Sequence, residues 1–105
     1  MTETEFLQTT EKLFDDIEDA VEAGLDADIM REGNVLEIEA DSGEKVVVNR
    51  HVPTSQVWLA SRLGGRHFIA KDGQWVDTRT GEDLWTKLQE ALSAAEGRRV
   101  TLPVR

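Results

Sequence analysis

Between Ile29 and Asp77 the chain passes through a series of short β-type segments joined by connections too brief for any of them to lie parallel to the next. Val35, Leu36, Ile38 and Ala40 alternate with Glu37 and Glu39, and Asp41-Ser42-Gly43 supplies turn chemistry before Lys45 to Arg50. Val46-Val47-Val48 is a β-branched run suited to a central strand, which Val52-Pro53-Thr54 breaks ahead of another strand at Gln56 to Ala60. Gly64-Gly65 separates that strand from Arg66 to Ala70, and Lys71-Asp72-Gly73 turns the chain into Gln74 to Asp77. A parallel return needs a crossover of about a dozen residues or more. The segments therefore predict an antiparallel meander of five to six strands.

Helical periodicity flanks this region on both sides. From residue 3 to about 23, Phe6, Leu13, Phe14, Ile17 and Val21 recur at three-and-four spacing, with Thr10 tolerated among them. Gly24 is the predicted C-terminal cap, and Leu25 to Asp28 the connecting loop. A second helix is signalled by Thr80 and Asp83 in capping-box spacing, by Glu82 and Asp83 near its positive end, and by the apolar face Leu84, Trp85, Leu88, Ala91, Leu92 and Ala95. Gly97 stops it. Helix, strands, helix in that order predicts an α+β two-layer sandwich with the N- and C-terminal helices packed on one face of the sheet. The other face is left to solvent or a partner. A chain of 105 residues with 39% hydrophobic content supports one such core.

Charge is distributed unevenly. Fourteen of the 21 acidic residues lie in the first 41 positions, against only Lys12 and Arg31, so this part sums to −12 while the remainder sums to +3. At about 100° per residue, Glu11, Asp15, Glu18 and Glu22 fall within a sector of roughly 60°, with Asp19 at its edge. Like charges at this spacing cost a helix a few tenths of a kcal/mol per pair. An acidic stripe argues against nucleic-acid binding, which needs clustered Lys and Arg, and favours metal cations or basic proteins. Carboxylates suit hard cations. An open row cannot surround an ion, however, and Asp26 and Asp28 begin an EF-hand-like pattern that lacks its Gly and terminal Glu. Cation binding on such a row is expected to be weak and exposed, and docking onto a basic protein fits the same charge without metal. A plain solvated helix face is the ordinary alternative.

No run approaches the roughly 20 apolar residues of a membrane span, and the acidic start lacks the pattern of a signal peptide, so a bacterial cytoplasmic setting is expected. Without Cys there are no disulfides or thiolate ligands. Conventional catalysis has little support: His51 and His67 are isolated in sequence, Gly64-Gly65 lacks the flanks of a phosphate loop, and Ser55 and Ser61 read as strand-end polar groups. Asn49, Arg50, Gln56, Trp58, Arg62, Arg66 and His67 gather polar and aromatic groups on neighbouring strands. Val57 and Leu59 share one face of their strand, which places Gln56, Trp58 and Ala60 on the other. An exposed Trp there suits a protein contact.

The segment VVVNRHVPTSQVWLASRLGGRHFIAKDGQWVDTRTGEDLW, residues 46 to 85, resembles the bacterial frataxin (CyaY) family, and the likeness extends over nearly the whole chain. It is carried by the Asn-Arg, Pro, Gln-Val-Trp-Leu-Ala string, by Gly-Gly before an aromatic strand, and by the Gly-x-Trp-x-Asp-x-x-Thr-Gly approach to the last helix. The resemblance implies one frataxin-like domain over residues 1–105 and a role in iron-sulfur cluster assembly. Its implied partners are the cysteine desulfurase and the scaffold complex, and its implied cargo is weakly bound Fe2+ or Fe3+, with other divalent cations possible. Carried over, the iron-binding ridge falls on Glu11, Asp15, Asp16, Glu18, Asp19, Glu22, Asp26 and Asp28, and the partner-binding sheet surface on Asn49, Gln56 and Trp58. No catalytic residue is expected, a weak ferroxidase activity being admitted by the resemblance alone. A monomer is expected, with iron-driven assembly left open. Met30 and Arg31 depart from the family's acidic pattern, as does the shorter turn at Glu32-Gly33-Asn34. The expectation is that Arg31 neutralises the far end of the ridge, which centres binding on Asp15, Glu18, Asp19 and Glu22. Two roles follow, an iron donor and a desulfurase regulator whose iron binding is incidental.

Overall fold

The computed structural model describes residues 1–103. Helix α1 (Glu3–Gly24) leads into strands β1 (Asp28–Glu32), β2 (Val35–Glu39) and β3 (Lys45–His51). A 3-10 turn at Val52–Thr54 then precedes β4 (Gln56–Ser61), β5 (Gly64–Lys71), β6 (Gln74–Asp77) and helix α2 (Leu84–Glu96). The six strands stand in sequence order, each antiparallel to the next, as the short connections require. The β5–β6 turn has Asp72 at φ +51° and Gly73 at φ +79°, the paired positive values of a tight two-residue hairpin.

Alternation within the strands decides which side of the sheet is covered. Leu36, Ile38, Val46, Val48, Val57, Leu59 and Phe68 are buried and join Phe6, Phe14, Ile17 and Val21 of α1 and Leu84, Leu88 and Leu92 of α2 in one core. Both helices thus lie on the same face. Val100 and Leu102, beyond α2, enter that core as well, and the Leu102 N–H donates to Gln89 Oε1 at 2.8 Å. Thr10 is tolerated in it because its hydroxyl donates to the Phe6 carbonyl at 2.7 Å, leaving no unsatisfied polar group. Among the described residues no helix is long and apolar enough to cross a membrane.

Several boundaries differ from the sequence expectation. Thr2 and Glu5 form a reciprocal capping box at the start of α1. Gly24 is the last helical residue and Leu25, in extended conformation, is the cap. Gly24 has no positive φ, and a Cβ there would sit at ordinary contact distance, 3.4 Å, from the Thr101 carbonyl, so it is not a left-handed cap. Asp28 opens β1 instead of ending a loop, and Gly64-Gly65 belong to β5. The cap of α2 is Asp83 itself, which accepts the Thr86 N–H at 3.3 Å, while Thr80 Oγ1 accepts the Glu82 N–H at 3.2 Å in the preceding turn. Gly97 ends α2 at φ +73°, as its position predicts.

Candidate functional site

The acidic residues do run along one side of α1 and on into β1, but they divide into a clamped group and a free group. Arg31, projecting from β1 on the helix side, donates through Nη1 to Asp15 Oδ1 at 2.7 Å and to Glu18 Oε2 at 3.4 Å, and through Nη2 to Glu11 Oε1. Its side chain is only 20% exposed, and the guanidinium carbon lies 5.4 Å from the Phe14 ring centroid. Arg50 reaches the same helix from β3, its Nη1 donating to Glu11 Oε2 at 3.2 Å and Thr10 Oγ1 at 3.3 Å, and its Nε to Asn34 Oδ1 at 3.1 Å. Burial works against the charge of Arg31, but the hydrogen bond to Asp15 and the fields of Glu11, Glu18 and Asp15 outweigh it, holding its pKa above the ordinary value.

Arg31 is therefore not at the far end of the ridge. It occupies the part expected to be the binding centre, engaging Asp15 and Glu18, and Lys12 pairs with Asp16 at 2.9 Å. Among the described residues, Asp19, Glu22, Asp26 and Asp28 make no ion pair and are exposed. Asp19 and Glu22 are three apart on the helix, so they face the same way. No three His, Asp or Glu side chains among the described residues converge into a preformed metal site. What the free group offers is an open row of hard oxygen donors, suited to a cation that keeps much of its water.

On the uncovered face of the sheet, register brings together residues that sequence leaves apart. Asn49 stands opposite Trp58, Trp58 opposite His67, and His51 opposite Gln56. Trp58 lies between two parallel imidazoles, with centroids 4.0 Å from His51 and 4.4 Å from His67. Trp58 Nε1 donates to Gln56 Oε1 at 2.8 Å, and His51 Nδ1 contacts Thr54 Oγ1 at 2.7 Å, so the stack is held at two points. Trp75 and Trp85 are buried in the core, whereas Trp58 is half-buried on the outer face, as parity predicts. Arg50 and Arg66 from the same grouping lie on the helix side, and Arg62 sits in the β4–β5 turn, where it pairs with Glu44 at 3.3 Å. His51 is the residue the sequence reading left out. It shares its parity with Asn49, which was signal enough to put it on this face.

The Frataxin-like domain family model matches residues 1–98. The chain is 48% identical over 103 residues to the iron-sulfur cluster assembly protein CyaY of Neisseria meningitidis serogroup B, covering 97% of this chain and 96% of that one. Its fold superimposes on frataxin from Psychromonas ingrahamii with a TM-score of 0.87 at 33% identity, over 95% of this chain and 96% of the other. A trimeric yeast frataxin complexed with ferrous iron is also similar, with a TM-score of 0.68 at 29% identity over 93% and 88% of the two chains.

Proposed function

This chain belongs to the frataxin family, and from that membership we propose that it is an accessory protein of iron-sulfur cluster assembly. It captures iron weakly on carboxylates of α1 and β1 and docks by charge onto the basic cysteine desulfurase and its scaffold complex. The observation that carries the iron reading is the run Asp19, Glu22, Asp26 and Asp28, exposed and without cationic partners among the described residues. Unclamped carboxylates bind a cation without first breaking an ion pair, so capture centres there and not on Asp15 and Glu18. A yeast relative crystallised with ferrous iron supports the choice of metal.

The test is an anaerobic ferrous titration of the D19N/E22Q/D26N/D28N variant beside the parent. Affinity should fall at least about tenfold, or about 1.4 kcal/mol, while a D15N/E18Q variant loses much less. Ferrous binding undiminished in the fourfold variant would move the metal elsewhere.

The absence of a converging trio of ligands among the described residues favours a second role, in which the protein regulates the desulfurase and iron is incidental. Asn49, Gln56 and Trp58 then form a contact surface, with Trp58 as its aromatic anchor. Trp58→Arg should weaken desulfurase binding by about tenfold or more, with ferrous affinity unchanged. Binding of the desulfurase at parental strength, measured on a variant with a native melting transition, would remove Trp58 from the interface.

A further inference from the structure

Arg66 and Arg79 lie at the opposite edge of the sheet from the acidic ridge. Here β5, β6 and the turn after β6 enclose a cavity of about 220 Å³, lined in part by Arg66, His67, Asp77, Thr78, Arg79 and Thr80. Its one lining carboxylate is already satisfied. Asp77 Oδ1 accepts the N–H groups of Arg79 and Thr80 at 2.8 and 3.2 Å, and Oδ2 accepts Arg66 Nη1 at 2.9 Å. Burial would raise the Asp77 pKa, but these bonds overcome it and hold the group ionised, below the ordinary carboxylate range. Glu82, which follows the turn, is taken by Arg66 at 3.4 Å and by Lys87.

What remains is donor capacity. Arg66 makes its ion pairs through Nη1 alone, and among the described residues the exposed Arg79 has no ion pair. His67 is fixed by stacking on Trp58. Thr78 is fixed by donating its N–H to the His67 carbonyl at 2.9 Å. Lys87 is shared between Glu82 and Glu90, so the charge left over at the cavity is that of Arg79. Guanidinium and hydroxyl donors come from two walls, the β5 strand and the turn after β6. That arrangement suits a tetrahedral oxyanion better than a planar carboxylate.

We propose that this cavity binds a phosphate group, with Arg79 as the principal charge and Arg66 and Thr78 as further donors. The site is distinct from the ridge and adjoins the Trp58 surface through His67. The test is an amide NMR titration with sodium phosphate at constant ionic strength, using sodium chloride and acetate as comparison anions. Saturable shifts should appear at residues 66–67 and 78–80 with phosphate, and Arg79→Gln should weaken them about tenfold or more. Arg79 is exposed and bridges nothing in the core, so the variant should keep the parent's melting temperature. A parallel titration with glycerol phosphate separates two sources of the group: equal affinity assigns free phosphate, and tighter binding assigns a small organophosphate. Shifts that do not saturate, that chloride or acetate reproduce, or that survive unchanged in Arg79→Gln would overturn the proposal.

Discussion

Arg31→Gln should lower the melting temperature by about 5–10 °C at low ionic strength, and should make it rise more steeply with added salt than the parent's does. Arg31 is the shared counter-ion of Glu11, Asp15 and Glu18, so its loss removes three attractions and exposes the repulsion among the acids. Exposed ion pairs are worth about 0–1 kcal/mol each. The partly exposed acids discount the sum further, but the sheltered guanidinium and its packing on Phe14 raise it, giving roughly 1–2 kcal/mol, which in a domain this size is several degrees. Screening would then relieve the repulsion among Glu11, Asp15 and Glu18 that Arg31 neutralises in the parent. Thermal melts at low and high salt measure both effects. A variant that melts like the parent at every salt concentration would make the bridge energetically idle. If the ridge captures iron, the same variant should also bind ferrous ion more tightly, with perturbations spreading onto Asp15 and Glu18.

The second large effect is expected at Asp77, where Asp77→Asn should cost about 2–3 kcal/mol of unfolding free energy near neutral pH. The residue is 6% exposed, and its side chain holds the turn before α2 through two backbone N–H groups while pairing with Arg66. An amide keeps an acceptor for the turn but brings N–H groups toward a guanidinium. The sign of the pH dependence follows from the depressed native pKa. The contribution of Asp77 is complete above the unfolded value of about 3.9 and is lost as pH falls through the lower native value. Urea unfolding of both proteins from pH 7 to pH 3 should therefore show the parent's advantage narrowing in acid. A gap that stays constant would mean that the carboxylate charge plays no part.

The layer order, the antiparallel meander and the outward placement of Trp58 were legible because each depends on local periodicity and connection length. The clamp on the ridge was not. A helical projection gives the bearing of each acid about the axis but says nothing of what the returning strand lays beside it. Strand residues advance about 3.3 Å and helix residues about 1.5 Å. The extended stretch from Leu25 to Arg31 thus covers about 20 Å, the length of roughly 13 helical residues. It carries Arg31 back to the level of Glu11 through Glu18, where the ion pairs are found. By sequence distance alone the residue seemed to belong near Asp28. The stack of His51 and His67 on Trp58 was hidden for a related reason, since strand register across three strands joins them.

The arrangement of the strands also sets the order in which contacts can be made. Every strand pairs with its immediate sequence neighbour, so each hairpin closes a short loop at small entropic cost. The bonds from Arg31 and Arg50 to Glu11 instead span 20 and 39 residues, and need α1 already seated against the finished sheet. Such contacts are expected to form on the late side of the folding barrier. Their removal should then leave the refolding rate nearly unchanged and accelerate unfolding, so the arginines would govern how long a folded molecule lasts more than how quickly it forms.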